Sequence, residues 1–239
     1  MGNDKSTGKT SGFIKITLIC FIVFSLGFLP SIIVSKIFLI FIPFNQIWHL
    51  FLLPFFIYFV LVITIFYQLL FSGLIIHLFK IRYEPGVYDY TYKNKMAFRW
   101  IVVCALYTPI RKILETFPLG GIKNTYYRML GMKIGKNTLV GGTIKDPCLT
   151  EIGDNVTMGE FAIIYGHIHN LEKAIILMER VKIGNNCIIG AGAIIMPGAV
   201  LEDDVKLAAG AVVTRSQILK KGKTYGGIPA KEIKSKKVK

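Results

Sequence analysis

A membrane-embedded α-helical part joined to an all-β solenoid of six-residue repeats is the fold class that the 239-residue sequence predicts. Three observations carry it. The long apolar runs lie in the first third, an aliphatic period of six fills the second half, and that period breaks at one place.

From Phe13 to Phe44 the chain is almost wholly apolar, interrupted by Lys15, Pro30 and Lys36, and from Ile47 to Phe79 it is apolar again with no Lys, Arg, Asp or Glu. Both runs exceed the roughly 20 residues a spanning helix needs. A cleaved signal would show one short apolar stretch, whereas a second and longer one follows at once. Two transmembrane helices joined by a short turn around Pro43 to Gln46 are therefore expected. Lys5, Lys9 and Lys15 precede the first span, Lys80 and Arg82 follow the second, and the connection carries no basic residue, which puts both termini in the cytoplasm. Lys36 suits snorkelling and Pro30 a kink. His49 and His77 fall near span ends and read as interfacial. Met1, Gly2 and Ser6 match a myristoylation pattern that two spans make redundant. The sequon Asn155–Val156–Thr157 would go unused on the cytoplasmic side.

The formal charge of +15 is uneven: net +3 over residues 1–79, +7 over 80–133, −2 over 134–215 and +7 over 216–239. Basic flanks around a mildly acidic body suit an anionic membrane surface, where each cation contributes roughly 1 kcal/mol. No nucleic-acid recognition motif accompanies the charge, which argues against that partner. The four cysteines, Cys20, Cys104, Cys148 and Cys187, are widely spaced and read as free thiols.

Residues 83–133 form a membrane-proximal linker. After RYEPGVYDYTY from Arg82 to Tyr92, an amphipathic helix is expected from about Lys93 to Phe117, either lying in the headgroup region or packed on the soluble domain. The repeats then begin. Steps of six from Ile134 give Val140, Asp146, Ile152, Met158 and Ile164, and a second series runs Ile183, Ile189, Ile195, Leu201, Leu207 and Val213. Asp146 alone is not aliphatic. Two residues earlier stand small or β-branched residues: Thr138, Thr150, Val156, Ala162, Ala193, Ala199, Val205 and Ala211. A six-residue step with one large and one small inward side chain fits a short strand plus a turn, three steps close a triangular coil, and coils stack into a continuous core. Four coils are expected, at 134–151, 152–169, 183–200 and 201–218, with Asn170 to Lys182 bulging outward as a loop. Such an insertion is where a solenoid places function.

The segments IGDNVTMGEFAIIYGHIHN, VKIGNNCIIGAGAIIMPGAVLEDDVKLAAGAVVTRS and YGGIPAKEI resemble the hexapeptide-repeat acyltransferases over roughly residues 134–233. The upstream spans, RYEPGVYDYT and YYRMLGMKIGKN resemble, less specifically, the membrane-bound acyltransferase-like modules that end some non-ribosomal peptide synthetases. The resemblance implies a single-stranded left-handed parallel β-helix over 134–218, flanked by the two spans (1–82), the linker and a basic segment (219–239). It also implies a homotrimer with the site between subunits, and acetyl-CoA or another acyl-CoA as donor.

Acyl transfer from a thioester needs a base for the attacking hydroxyl or amine and donors for the oxyanion. His167 and His169, just before the break, are the histidines of the soluble half. Family spacing, with an acidic residue three positions on, favours His169 with Glu172 as base over His167. Asp146 is open between orienting the histidine or the acceptor and being a corner aspartate. Resemblance to coenzyme A-dependent members points to Ala191, Ala209, Thr214 and Arg215 for the donor, with Lys231 near phosphate, while Gly190, Gly192 and Gly210 read equally as tight corners. No metal is expected, because zinc prefers three protein ligands and the soluble half offers two histidines. Membrane anchoring hints at a lipid-linked sugar or envelope polymer as acceptor. A non-enzymatic trimeric scaffold is the alternative, and a γ-carbonic-anhydrase-like metal protein a weaker one.

Overall fold

The computed structural model describes residues 3–42, 45–116 and 120–233. Helix α1 (Asn3–Phe41) and helix α2 (Leu53–Leu78), the latter led in by a 3₁₀ turn (Ile47–Leu52), run side by side. Thr10–Phe41 and Ile47–Leu78 are each long and apolar enough to cross a membrane. Polar groups inside the pair bond across it, as apolar surroundings favour. Ser31 Oγ and Thr64 Oγ1 are 2.7 Å apart, and Gln68 Nε2 donates to the Phe24 carbonyl at 2.9 Å. Met1, Gly2, Pro43 and Phe117 lie outside the described residues, so the myristoylation pattern, part of the inter-span turn and the end of the linker helix are not described. The same holds for residues 234–239 of the basic segment.

Helix α2 ends sharply. Lys80 takes φ 48°, Ile81 N–H donates to the Ile76 carbonyl (3.0 Å) and Lys80 N–H to that of His77 (3.2 Å), the paired bonds of a Schellman motif. Helix α3 (Lys95–Thr116) is packed rather than lying free: Ala97, Trp100, Val103, Leu106, Tyr107, Ile110 and Leu114 are all buried. Helix α4 (Gly120–Met129) docks on α2 through Tyr126, whose hydroxyl lies 3.1 Å from the buried Ser72 Oγ.

The second half is a parallel β-helix of short strands. Its first side stacks Lys133–Ile134, Thr150–Ile152, Val181–Ile183, Val200–Leu201 and Ile218–Leu219. The second stacks Leu139–Val140, Thr157–Met158, Ile188–Ile189, Lys206–Leu207 and Thr224–Gly226. The third stacks Thr143–Ile144, Ile163–Ile164, Ile194–Ile195 and Val212–Val213. Large inward residues such as Ile164, Ile195, Val213 and Leu219 and small ones such as Ala162, Ala193, Ala199 and Ala211 are completely buried. Stacking continues past residue 218 through Leu219 and Tyr225 as a partial fifth coil.

One corner of the triangle requires a left-handed residue, and Asn137, Asn155, Asn186 and Asp204 supply it at φ 52–60°. Short polar side chains tolerate that conformation by bonding locally. They also bond along the stack: Asn137 Nδ2 donates to Asn155 Oδ1 (3.3 Å), Asn155 Nδ2 to Asn186 Oδ1 (3.2 Å) and Asn186 Nδ2 to Asp204 Oδ1 (3.1 Å).

The first coil departs from the expected register. Ile144, not Asp146, pairs with Ile164 at the inward position. The corner at Gly141–Gly142 is two residues short, and the next is two residues long, absorbing a 3₁₀ turn at Pro147–Leu149. Eighteen residues still separate Ile134 from Ile152, so a strict count of six lands on Asp146. The first coil's downward carbonyls are met by donors from α3 and α4. Arg128 reaches Ile134 and Gly135, Asn124 reaches Thr138, Lys123 reaches Gly142 and Tyr107 reaches Ile144, at 2.6–3.4 Å.

Candidate active site

The break in the repeats is a hairpin, not an irregular bulge. His167–Asn170 pairs antiparallel with Ile175–Met178 across a turn at Leu171–Ala174. The outer strand then pairs antiparallel with Gly86–Asp89 from the linker. Residues 83–100 are thereby laid beside the hairpin, through a pairing of positions about 90 residues apart. The chain rejoins the first side at Val181, opposite Thr150.

His167 and His169 are two apart on one strand, so both rings project from the same face; their centroids are 5.2 Å apart. What distinguishes them is the partner. His167 Nδ1 lies 2.7 Å from Asp146 Oδ2, whereas His169 meets the Tyr90 ring (4.7 Å); Trp100 lies against both imidazoles, at 4.8 Å and 5.0 Å. Glu172, three positions past His169, stands exposed in the hairpin turn, so the spacing that singled out His169 does not bring a carboxylate onto its ring.

Asp146 is completely buried and its carboxylate accepts four hydrogen bonds. Oδ1 takes the Tyr83 hydroxyl (2.9 Å) and Trp100 Nε1–H (3.1 Å); Oδ2 takes Gly166 N–H (2.7 Å) and His167 (2.7 Å). Burial alone would push this acid up, but His167, the Gly166 amide and the Tyr83 hydroxyl outweigh it and hold it below the usual aspartate value. An ionised carboxylate only accepts, so the neutral tautomer of His167 that fits this bond carries its proton on Nδ1 and its lone pair on Nε2. Gly166 is required for this approach: a Cβ there would stand 2.8 Å from Asp146 Cβ and 3.0 Å from Leu149 Cβ. Desolvation, and then the neighbouring His167, depress His169 below the usual histidine value. Burial lifts Tyr83 well above the tyrosine range and the Cys148 thiol to about 11, so these groups stay protonated near neutrality.

The donor-side residues fall on two corners. Ala191 and Ala209 stack at the corner before the third side, with Gly210 N–H donating to the Ala191 carbonyl at 2.9 Å. Thr214 and Arg215 lie at the corner after it, the one from which His167 departs. Within one chain the third side separates the two groups. Arg215 holds Glu179 through two bonds, Nε to Oε2 (2.9 Å) and Nη2 to Oε1 (2.5 Å), so its guanidinium is already engaged. Lys231 is exposed on the closing antiparallel strand, opposite Gly226. Of the corner glycines, Gly192 and Gly210 adopt φ near +66°, whereas Gly190 serves close approach to the Ala209 backbone. Among the described residues no three His, Cys, Asp or Glu side chains converge as a metal site.

Tyr83, Tyr90 and Trp100 were not singled out by the sequence. The only signal was the aromatic density of Arg82 to Tyr92, which fits a membrane interface equally well.

Residues 180–215 match the family described as "Bacterial transferase hexapeptide (six repeats)". The chain is 30% identical over 142 residues to the YvoF protein of Bacillus subtilis (strain 168), which carries an acetyltransferase name, across 54% of this chain and 80% of YvoF. It is 33% identical over 82 residues to mitochondrial gamma carbonic anhydrase 2 of Arabidopsis thaliana, spanning 34% of this chain but 24% of that protein. Among solved structures it is similar to a maltose O-acetyltransferase from Clostridium difficile 630, with 27% identity, a TM-score of 0.41, and coverage of 53% of this chain and 82% of that one.

Proposed function

Because the chain belongs to the bacterial hexapeptide-repeat transferase family, we propose that it is a membrane-anchored acyltransferase that moves an acetyl or related acyl group from coenzyme A to a hydroxyl or amine on a membrane-associated acceptor. The observation that carries this reading is the buried Asp146 carboxylate bonded to His167 Nδ1 at the one break in the repeats. The acetyltransferase name of YvoF supports the reaction class.

In the proposed reaction His167 Nε2 takes the proton of the acceptor O–H or N–H as that atom attacks the thioester carbonyl. The imidazolium then faces an ionised Asp146, which offsets its charge. Collapse of the tetrahedral intermediate breaks the C–S bond, and His167 returns the proton to the departing thiolate, so free coenzyme A and acylated acceptor leave with the enzyme unchanged. His167 is the base and Asp146 its positioning residue. His169, Tyr90 and Trp100 wall the acceptor side. Ala191, Ala209, Thr214, Arg215 and Lys231 serve the donor; their division between two corners suits a homotrimer in which adjacent subunits each supply one corner. The spans, with both termini cytoplasmic, keep the catalytic half at the inner face of the cell membrane.

The test is donor binding and turnover by the full chain in detergent or nanodiscs. Acetyl-CoA at about 100 times its Kd should stabilise the folded protein by about 2.7 kcal/mol, and His167→Asn should lower coenzyme A thiol release roughly 100-fold or more while keeping the thermal shift. No shift and no thiol release with any acceptor would overturn the reading.

A further inference from the structure

The carboxylate that positions the proposed base is tied to the end of an apolar helix long enough to span a membrane by a very short ruler. Helix α2 has 26 residues and is about 39 Å long, enough for the ~30 Å hydrocarbon core and a headgroup layer. Its last residues, Leu78 and Phe79, are 64% and 73% exposed, as suits lipid contact. The Schellman motif reverses the chain immediately, and Lys80 and Arg82 mark the headgroup level. Tyr83 follows directly and donates to Asp146. One residue step and one tyrosine side chain place the Asp146 carboxylate no more than roughly 13 Å from the Arg82 α-carbon.

A second tether agrees. Gly12, in the first turns of the α1 apolar span, packs so closely on the Tyr92 ring that a Cβ there would stand 2.6 Å from Tyr92 Cβ. Two residues before Tyr92, Tyr90 meets the His169 ring. Both walls of the site are thus pinned to the same membrane surface. The docking of Tyr126 on Ser72 and of Tyr126 and Met129 against Gly73 makes the junction a packed one, not a flexible leash.

Two features describe what would fit there. The exposed Tyr90 ring and the half-buried His169, backed by the buried Trp100, offer an aromatic surface of the kind on which the C–H face of a sugar ring stacks. In the segment that leads from α2 into the site and at the start of α3, Arg99 donates to the Arg82 carbonyl (3.2 Å), and Lys80, Arg82 and Arg99 take no part in the ion pairs of the described residues. Unpaired cations at headgroup height suit a phosphate group.

Resting on the acyltransferase reading above, we propose that the acceptor is the first sugar of a phosphate-linked glycolipid, offered at headgroup height, and not a soluble metabolite or the distal end of a long glycan. The test uses the full chain in phosphatidylethanolamine/phosphatidylglycerol nanodiscs with radiolabelled acetyl-CoA. Three acceptors are compared: farnesyl-phosphate-linked N-acetylglucosamine, a farnesyl-linked trisaccharide whose first two sugars are blocked, and free N-acetylglucosamine. The expected kcat/KM for the monosaccharide lipid is at least tenfold above both others, and Arg82→Gln with Arg99→Gln raises its KM severalfold. Equal or faster transfer to the free sugar or the distal sugar, or label on phosphatidylethanolamine, overturns the proposal while leaving acyl transfer intact. No transfer to any acceptor together with no acetyl-CoA thermal shift overturns both.

Discussion

Replacing Asp146 with Asn removes one charge and exchanges one acceptor oxygen for a donor, with almost no change in shape. The four bonds to the carboxylate make the outcome calculable. If the amide oxygen takes the Oδ2 place, Gly166 and His167 keep their acceptor, but Trp100 Nε1–H then faces an NH₂ group; Trp100 can only donate. If the oxygen takes the Oδ1 place, Gly166 N–H is stranded instead, and His167 must accept at Nδ1, which moves its proton to Nε2 and removes the base. Either orientation leaves a buried donor unmet, at a cost of about 1–3 kcal/mol. Both also remove the anion opposite the imidazolium that the proposed transfer would form. A loss of about 3–5 kcal/mol in transition-state stabilisation corresponds to roughly 10²–10⁴ in kcat, at about 1.4 kcal/mol per factor of ten. The assay is coenzyme A thiol release by the nanodisc-embedded protein, with thermal melting and acetyl-CoA binding measured in parallel. An Asn variant that retains more than about a tenth of wild-type kcat would refute the role given to Asp146.

Separating the two histidines needs the same assay: His167→Asn should lose at least about 100-fold in kcat, and His169→Asn should act mainly on acceptor KM, so the reverse order would return the base to His169. Gly166→Ala places a Cβ 2.8 Å from that of a completely buried aspartate. Overpacking of this kind costs about 1–3 kcal/mol, so both melting temperature and kcat should fall, and an unperturbed variant would contradict the packing described. Tyr83→Phe removes one donor from Asp146, whose pKa is held below the usual aspartate value. Because the folded group is the stronger acid, its stabilising contribution is complete above the unfolded value near 3.9 and is lost as pH falls through the folded one. In the variant the folded value moves back toward the unfolded one, so the contribution is smaller and its loss is complete at a higher pH, which melting curves between about pH 2 and 5 would reveal; coincident wild-type and variant curves would exclude the linkage.

The period of six was legible because inward residues alternate large and small whatever the coils are attached to. Its one failure is instructive. Asp146 broke the aliphatic series because the Gly141–Gly142 corner is two residues short and the Pro147–Leu149 turn restores them, so Ile144 fills the core position instead. Local sequence announces two glycines and a proline but not that their effects cancel. The choice between His167 and His169 was likewise out of reach, since both lie on one face of one strand and only a carboxylate 21 residues upstream separates them. Tyr83 and Trp100 were hidden for a related reason. Their place at the site follows from the pairing of Gly86–Asp89 with the hairpin's outer strand, and no short-range pattern encodes a partner so distant along the chain.

The donors that α3 and α4 extend to the first coil bear on how the protein coexists with its own kind. A stack of parallel coils ends in a row of bare carbonyls, and such a row is a template on which another molecule's strands can grow. Here Arg128, Asn124, Lys123 and Tyr107 occupy that row. Two of the four, Arg128 and Lys123, belong to the basic surplus of residues 80–133, which therefore has a structural task within the chain. It stoppers one end of a structure that would otherwise be able to lengthen into a fibre.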